Sequence, residues 1–369
     1  MSSRRPLRLL FTTRAFGGGG AERVWSTLAD RFAARGDEVV LAVDLDGDRP
    51  TFGDASDPRV VILGARHVGA TLRLAELLRE FRPDVALAAI SGSCVKLVAA
   101  TVLARSRVPV VVSYHGFEEY RTGHLAKFAY WGMPMMNRRA ARIVAVSDGL
   151  HRELVERWGA DPAKTCRIHN PATIDLSGAA ATAADLAERP DVVLAAGRLS
   201  PEKGVDVLLD AFARVKRPGA RLIIAGDGSE RGRLEHRARD LGIAERITFL
   251  GQVNDIRPLY RQTRVLAVPS RTEAFGMVVV EALAHGLPIV ATACTGPTEI
   301  LDGGRFGRLV PVEDPAAMAA GIDLALADPG DPAPRFERAA HFSFEKGFGE
   351  WARLVDDTAA AAQGGGASA

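Results

Sequence analysis

The sequence predicts an α/β protein of two doubly wound domains, each with a parallel sheet covered by helices on both faces. Short, β-branched apolar runs alternate with amphipathic runs of helical length. This alternation stops near residues 177–190, a segment poor in large apolar residues, and then restarts. The chain has 369 residues, and at roughly 150 residues per domain this length suits about two domains.

The first half contains strand-like runs bounded by charged residues, Pro or Gly: LRLLF, EVVLAV, RVVIL, DVALAA, VPVVVS and RIVAVS. Between them, AERVWSTLADRFAARG, ATLRLAELLREF and SCVKLVAATVLARS place apolar residues at helical spacing. Strands that are apolar nearly throughout and are separated by helices are typical of a buried parallel sheet. We therefore predict an N-terminal domain over residues 1–172.

The same pattern predicts a second domain after a linker over residues 173–190. DVVLAAG, RLIIAG, RITFLG, VLAVPS and PIVAT are its strand-like runs, with helices predicted over Val205–Val215, Glu230–Leu241 and Gly276–His285. The predicted limits are 191–342 for this domain, 343–362 for a C-terminal helix and 363–369 for a disordered Gly/Ala/Ser-rich tail. Two such domains that face each other would share a cleft at the carboxyl ends of their strands.

Charge and composition exclude several classes of protein. The chain has 47 basic and 45 acidic residues, and its 47% hydrophobic content excludes a disordered chain. A net charge of +2 argues against a general nucleic-acid binder. The charge is unevenly divided, because residues 1–170 carry +7 and residues 171–369 carry −5.

The cysteines and the apolar runs indicate a cytoplasmic protein. Cys94, Cys166 and Cys294 are far apart, so they support neither a disulfide framework nor a zinc site. The apolar run at Leu7–Phe11 is too short for a signal sequence, and no run reaches the roughly 18 residues of a membrane span. Peripheral attachment to the inner face of the cell membrane stays compatible with this pattern.

A glycine-rich loop follows the first predicted strand. Gly17, Gly18, Gly19 and Gly20 precede a helix, and glycine lets backbone N–H groups approach an anion at a helix N-terminus. The loop is either a phosphate or sugar contact or a flexible turn. GGGGAE lacks the third glycine of GxGxxG, so it supports a nicotinamide-dependent oxidoreductase only weakly. Asp44, Asp46 and Asp48 have DxD spacing, which we interpret as loop solvation rather than as a cation site.

The segment Gly197-Arg-Leu-Ser-Pro-Glu-Lys-Gly204 lies between a buried strand and a helix. Arg198 and Lys203 would both meet a pyrophosphate there, Arg through a planar fork of donors and Lys as a movable point charge. Only six of the 47 basic residues are Lys, so a Lys beside a glycine turn indicates a specific role.

A second segment, SRTEAFGMVVVEAL, places Glu273 just before a helix that we expect to begin near Phe275. The N–H groups of Phe275, Gly276 and Met277 would then be available to phosphate. Glu281 lies on an otherwise apolar helix, where a carboxylate is costly without partners. Two further sites are candidates for a ligand contact. Gly296-Pro-Thr-Glu299 begins another helix and would either contact a sugar or cap that helix, and His115 at the end of a strand of the first domain is either a ligand contact or a structural residue.

At these residues the sequence resembles the family 4 glycosyltransferases, retaining enzymes with the GT-B fold of two facing Rossmann-like domains. GRLSPEKG, SRTEAFGMVVVEAL and the spacing from Glu273 to Glu281 resemble the family's donor site. GGGGAE with Glu22, His115, AVSDGL and IHNP with Asn170 resemble its N-terminal half. The resemblance covers nearly the whole chain, and it implies that the C-terminal helix returns towards the N-terminal, acceptor-side domain.

The resemblance implies a nucleotide-sugar donor and a role for each matching residue. Arg198 and Lys203 would bind the diphosphate, Glu273 the sugar hydroxyls and Glu281 the ribose. His115 would contact the donor sugar from the other domain. The implied donor-binding residues also include Gly17, Gly18, Gly19, Gly20, Gly197, Gln252, Val253, Phe275, Gly276 and Met277, and candidate sugar or acceptor contacts are Glu22, Asn170, Gly296 and Glu299.

The implied reaction transfers a hexosyl or N-acetylhexosaminyl group, with UDP as the expected nucleotide, to a saccharide or lipid-linked saccharide. Cations at the departing diphosphate lower the barrier, so neither a metal nor another cofactor is required. Asn170-Pro-Ala-Thr stands where many relatives have Asn-Gly-Val-Asp, and together with Gly296-Pro-Thr-Glu299 it resembles a subgroup that uses UDP-activated hexoses or N-acetylhexosamines on cell-envelope glycans. The identity of the sugar stays open. A nucleotide-sugar epimerase or hydrolase on the same scaffold and a non-catalytic nucleotide-sugar-binding protein are the alternatives.

The basic first half also contains KFAYWGMPMMNRRAAR, from Lys127 to Arg142, which mixes aromatic residues and Met with basic ones. This composition is typical of a segment that lies on an anionic membrane surface. An ordinary half-buried helix with basic residues at its end explains it equally well.

Overall fold

The computed structural model describes residues 5–16, 19–46, 58–117, 124–173 and 181–364. Its contacts divide the chain into two compact units. The first unit comprises Met1–Pro171 together with Glu345–Ala369, and the second comprises Ala172–Phe344.

The first unit is built on a seven-stranded parallel sheet. Its strands are β1 (Arg8–Thr13), β2 (Glu38–Val43), β3 (Arg59–Ile62), β4 (Val85–Ala89), β5 (Val110–Tyr114), β6 (Ala140–Ala145) and β7 (Thr165–Arg167). They lie in the order β3-β2-β1-β4-β5-β6-β7. In β1, an interior strand, Phe11 is in register with Leu41 on one side and Leu87 on the other, and all three are fully buried. The near-continuous apolar runs of the sequence are therefore strands covered on both faces.

Helices follow most of these strands: α1 (Gly20–Ala34), α2 (His67–Phe81), α3 (Ser91–Ala104), α4 (His124–Trp131), α5 (Met133–Arg139) and α6 (Asp148–Arg152), which continues as a π-helical turn, Glu153–Arg157. Ser147 caps α6, because its side-chain oxygen accepts a hydrogen bond from the Leu150 N–H. In α1, Val24, Leu28 and Phe32 lie on one buried apolar stripe.

The second unit repeats the plan with six parallel strands: β8 (Val192–Ala196), β9 (Arg221–Ala225), β10 (Ile247–Gly251), β11 (Val265–Val268), β12 (Ile289–Thr292) and β13 (Arg308–Val310). Their order is β10-β9-β8-β11-β12-β13. Val193, Leu222 and Val265 of the sheet pack with Leu208 and Phe212 into the core of this unit.

The helices of the second unit are α7 (Ala183–Glu188), α8 (Val205–Phe212), α9 (Arg231–Asp240), α10 (Arg257–Gln262), α11 (Met277–Ala284), α12 (Thr295–Ile300), α13 (Pro315–Ala327) and α14 (Ala333–Ala340). The predicted α8 was too long, because the chain leaves the helix after Phe212 in a turn whose Val215 N–H bonds to the Phe212 carbonyl. α7 lies in the predicted linker, and Thr182 and Asp185 form a capping box at its start. Linker residues 174–180 lie outside the described residues.

The final helix, α15 (Phe344–Gly364), packs on the first unit from Glu345 onward. Trp351 meets Trp25 of α1 edge to face, with ring centroids 5.2 Å apart, and Phe348 meets Phe32 at 5.0 Å. Arg35 adds a bidentate ion pair with Asp356. The helix continues past the predicted limit of 362 to Gly364, and tail residues 365–369 lie outside the described residues.

The two parallel sheets with helices on both faces confirm the predicted α/β, doubly wound fold class. The association of α15 with the first unit confirms the predicted return of the C-terminal helix. Among the described residues, no helix has the length and apolar character needed to cross a bilayer.

Candidate functional site

The second unit has a pocket at the point where the strand order of its sheet reverses, between β8 and β11. β9 and β10 lie on one side of β8, and β11 to β13 lie on the other. The loops after β8 and β11 lie at this point, where ligands of open α/β sheets bind. The pocket is lined by residues 195–199, from the end of β8 and the loop after it, and by residues 267–270, from the end of β11 and its loop, together with Lys203 and Glu273.

The GRLSPEKG loop is pressed against the loop after β11, and this contact requires glycine. Gly204 has φ of +63°, and a Cβ on it would lie 2.2 Å from the Pro269 carbonyl oxygen. A side chain at this position would therefore force the two loops apart. Between Gly197 and Gly204, a 3₁₀ turn over Pro201–Lys203 turns Lys203 into the pocket lining.

Lys203 and Glu273 form an ion pair across the two loops. The side chains are 27% and 16% exposed, so the pair is sheltered but accessible. The pocket thus holds a cation suited to phosphate and a carboxylate suited to hydroxyl groups.

Arg198 lines the same pocket and is exposed. Within the part of the chain that the structure describes, its guanidinium makes no hydrogen bond or ion pair. Its donors are therefore available to an anion beside Lys203.

Helix α11 begins at Met277, one residue after the predicted Gly276 and two after Phe275. Gly276, at φ of +103°, turns the chain into the helix, and the Phe275 ring is buried against Phe342 at 5.6 Å. Phe275 therefore anchors the loop in the core, while Gly276 and Met277 form the start of the helix at the pocket.

Glu281 has a partner that the sequence pattern did not reveal. The buried Tyr260 hydroxyl donates a 2.7 Å hydrogen bond to Glu281 Oε2, and the Tyr260 ring packs on His285 at 5.0 Å. Burial lowers the pKa of His285, an effect that its hydrogen bond to the Glu281 carbonyl opposes. The tyrosine is 21 residues away in sequence, on α10, which explains why periodicity could not identify it.

Gly296 supports the Glu273 loop directly. Its N–H donates a 2.8 Å hydrogen bond to the Glu273 carbonyl, and a Cβ on it would lie 2.1 Å from the Phe275 carbonyl oxygen. Glu299 lies on the same helix, where its carbonyl accepts a hydrogen bond from Arg338. The structure thus assigns Gly296 a packing role, and its predicted contact with sugar or acceptor stays a prediction.

Gln252 and Val253 follow β10 directly, at the carboxyl edge of the same sheet. β9 separates this strand from β8, and the Gly226 N–H bonds to the Gly251 carbonyl at 2.8 Å. Gln252 is exposed, so its amide and backbone are accessible.

In the first unit, the described part of the glycine loop forms the start of α1. Gly19 is the cap residue, with extended backbone, and Gly20 is the first helical residue. Glu22 is buried in the first turn of the helix. Gly17 and Gly18, both predicted donor contacts, lie outside the described residues.

His115 follows β5 and meets Asn170, a second predicted site residue. Burial lowers the pKa of His115 to about 4, an effect that the neighbouring Asn170 side chain opposes, and His115 Nδ1 has no hydrogen-bond partner among the described residues. The imidazole also lies 3.0 Å from the Ser113 hydroxyl, and Trp25 stands edge-on to it at 6.2 Å. His115 is therefore neutral at pH 7, and Ser113 and Trp25 are surroundings that sequence reasoning missed.

The DxD run has no metal-binding arrangement among the described residues. Asp44 pairs with Lys96 of α3, which is buried, and Asp48 lies outside the described residues. No cluster of three or more His, Cys, Asp or Glu suited to a metal ion occurs in the described ranges.

The segment from Lys127 to Arg142 has one buried side and one exposed side. Tyr130, Met133 and Met136 are buried, whereas Phe128 and Trp131 are 61% and 69% exposed. A third exposed apolar residue, Met135, and the exposed basic residues Lys127, Arg138 and Arg139 accompany them. This segment thus exposes a set of aromatic and basic side chains.

Two family descriptions match successive parts of the chain. Residues 18–176 match Glycosyltransferase Family 4, and residues 181–342 match Glycosyl transferases group 1. The D-inositol 3-phosphate glycosyltransferase of Mycobacterium marinum is 33% identical over 260 residues, which are 64% of this chain and 55% of that protein. The enzyme of the same name from Mycobacterium bovis is 33% identical over 270 residues, with 66% and 56% coverage. The chain therefore matches about half the length of these relatives.

Solved structures share the fold. Anabaena HepE, in complex with UDP and glucose, has a TM-score of 0.81 at 22% identity and covers 95% of this chain and 100% of that chain. Sucrose-phosphate synthase from Thermosynechococcus elongatus has a TM-score of 0.80 at 22% identity, with 96% and 100% coverage. With both units and their motif-bearing loops matched in this way, the chain belongs to the family 4 glycosyltransferases and has their GT-B fold.

Proposed function

We propose that the chain is a retaining glycosyltransferase that moves a hexosyl or N-acetylhexosaminyl group from a nucleotide sugar, UDP being the expected nucleotide. The acceptor would be a hydroxyl of a saccharide or lipid-linked saccharide of the cell envelope. The observation that carries this proposal is the Lys203–Glu273 ion pair in the pocket between the loops after β8 and β11. HepE is described in complex with UDP-glucose, which favours a UDP sugar.

The pocket supplies charges that suit a departing diphosphate. Negative charge grows on the leaving group as its bond to the anomeric carbon breaks, and preorganised cations there lower the barrier. In this proposal Lys203 and Arg198 meet the diphosphate, and Glu273 exchanges its contact with Lys203 for hydroxyls of the transferred sugar. Glu281, held by Tyr260, would accept hydrogen bonds from the ribose.

The acceptor oxygen would bond to the anomeric carbon on the face from which the diphosphate departs, which retains the configuration. The acceptor hydroxyl would give its proton to a diphosphate oxygen, so no separate general base is needed. The neutral His115 would hydrogen-bond the donor sugar, the start of α11 at Gly276 and Met277 would contact sugar and phosphate, and Gln252 with Val253 would contact the base. Because Arg198 and Lys203 provide the cations, turnover should proceed in EDTA.

Turnover by variants tests the assignment. Purified chain is incubated with UDP-, GDP- and ADP-sugars and saccharide acceptors, and the products are identified by NMR. We expect transfer with retained configuration from one nucleotide class, and loss of most turnover in Glu273→Gln, Lys203→Ala and Arg198→Ala with unchanged folding. Free sugar would indicate a hydrolase, an altered sugar nucleotide an epimerase, and binding without product a non-catalytic protein.

The exposed set on α4 and α5 supports a further part of the proposal, peripheral attachment of a cytoplasmic enzyme to an anionic membrane. Phe128 and Trp131 would enter the headgroup region while Lys127, Arg138 and Arg139 meet anionic lipid. Co-sedimentation with phosphatidylglycerol vesicles at low salt tests this. Binding should be lost in Phe128→Ser with Trp131→Ser, and equal sedimentation with neutral and anionic vesicles would contradict it.

A further inference from the structure

The two loops that carry Lys203 and Glu273 are joined by one side chain, Arg271. Its Nη1 donates a 2.6 Å hydrogen bond to the Pro201 carbonyl, in the turn that leads to Lys203. The same guanidinium makes a bidentate pair with Asp206 at the start of α8, at 2.9 and 3.0 Å, and its Nε bonds to Glu313. Arg271 itself lies two residues before Glu273, so it spans from one loop to the other.

The backbone of Arg271 reinforces this junction. Its N–H donates a 2.8 Å hydrogen bond to the Glu202 carbonyl. Glu202 immediately precedes Lys203, so the junction lies within two residues of both members of the ion pair. The separation of Lys203 from Glu273 therefore depends on how firmly these two loops are held together.

The Arg271–Asp206 contact is a firm one. Partial burial of Asp206 opposes ionisation, yet the hydrogen bonds and charge of Arg271 hold the pKa of the Asp206 carboxyl below its usual range. Bidentate Arg–carboxylate pairs also restrict orientation, which a lysine cannot reproduce because it presents a single point charge.

We propose that Arg271 is a positioning residue for the transfer reaction. Its hydrogen bonds to the Pro201 carbonyl and the Asp206 carboxylate hold the two loops together, so that Lys203 and Glu273 are at the separation at which both act on one donor. This inference rests on the proposed function for the roles of Lys203 and Glu273. Arg271 acts through these two residues rather than by contact with the sugar nucleotide.

The same helix offers a matched control. One turn after Asp206, Asp210 of α8 makes a bidentate pair with Arg237 of α9, at 3.1 Å from Nε and 2.5 Å from Nη2. This pair has the same chemistry on the same helix, but Arg237 belongs to neither loop of the pocket. Arg237→Gln therefore removes an equivalent ion pair without releasing the junction.

The kinetic test compares Arg271→Gln, Arg271→Lys and Arg237→Gln with the wild type. Because misplacement by about 1 Å costs on the order of 100-fold in rate, we expect kcat to fall about 10- to 100-fold in Arg271→Gln. Arg271→Lys should recover part of this loss, and Arg237→Gln should retain the wild-type kcat. In a Lys203→Ala background, Arg271→Gln should lower kcat further by less than about threefold, because the effects of residues that act as a unit are not additive.

A second measurement needs no substrate. The six lysines can be told apart by mass spectrometry, so acetic anhydride labelling gives the reactivity of Lys203 relative to the exposed Lys216. Release of Lys203 from Glu273 should raise the labelling of Lys203 about threefold in Arg271→Gln and not in Arg237→Gln, a factor in the range measured for accessible ion pairs. Equal labelling and equal kcat in the two variants would overturn the inference. An inactive wild type would contradict the proposed function instead, and labelling would still decide the role of Arg271.

Discussion

The Tyr260 hydroxyl donates a 2.7 Å hydrogen bond to Glu281 Oε2, joining α10 to the apolar helix α11. This bond explains how a carboxylate is tolerated among valines and alanines, since a buried polar group must find a partner. It also restricts the orientation of Glu281, which the proposed contact with the ribose would require.

Tyr260→Phe should weaken donor binding and leave the chemical step largely unchanged. The ring keeps its packing on His285, so the variant removes only the hydroxyl. Loss of one such hydrogen bond is worth about 1 kcal/mol, which corresponds to about a fivefold rise in donor KM. Steady-state kinetics with varied donor measures the change, with Glu281→Gln as the comparison. A large fall in kcat at unchanged KM would contradict the positioning of Glu281 by Tyr260.

Gly204→Ala should damage the pocket more than the same change at Gly242. Both glycines have left-handed backbone, with φ of +63° and +68°, but a Cβ at 242 would meet nothing within 4 Å. Gly242→Ala should therefore lower the free energy of unfolding by about 1–2 kcal/mol and preserve activity. Gly204→Ala should have the same backbone cost and should also displace Pro269, so this variant should lose turnover. Equal stability and activity in the two variants, measured by urea unfolding and transfer assays, would show that loop contact is unimportant.

Acid should destabilise the first unit through His115. The folded protein holds the pKa of His115 at about 4, below the ordinary 6.5, so only the unfolded chain takes up this proton between these values. The free energy of unfolding therefore has its full value, as far as His115 is concerned, above pH 6.5. It falls as the pH drops towards 4, by no more than about 1.4 kcal/mol per pH unit. Unfolding of the wild type and His115→Asn between pH 4.5 and 7.5 measures it. The variant should show the shallower pH dependence; identical slopes would mean that the imidazole takes up its proton when folded.

The strands and most helices follow from local patterns. The apolar runs fix the sheet, because strands buried on both faces admit few other residues, and the glycines at 197 and 204 mark the loop that leaves β8. The start of α11 was predicted one to two residues too early, because Gly276 precedes the helix at φ of +103° and Phe275 packs in the core against Phe342.

Contacts between distant segments could not be predicted in this way. Glu281 was recognised as needing a partner, but nothing in the sequence distinguishes Tyr260 from the other tyrosines. Arg271 stands inside a recognised motif, yet its contacts with Pro201 and Asp206 join residues 65 to 70 positions apart. Such pairings depend on the strand order of the sheet, which places the loops after β8 and β11 side by side.

Ligand titration without an acceptor tests the central claim, that Lys203 binds the diphosphate of the donor and Glu273 binds its sugar. Calorimetry would compare UDP with the accepted UDP-sugar on wild type, Lys203→Ala and Glu273→Gln. Lys203→Ala should weaken both ligands alike, because both carry the diphosphate. Glu273→Gln should leave UDP binding in place and remove the additional affinity for the sugar. Unchanged dissociation constants for both ligands in both variants would contradict the account.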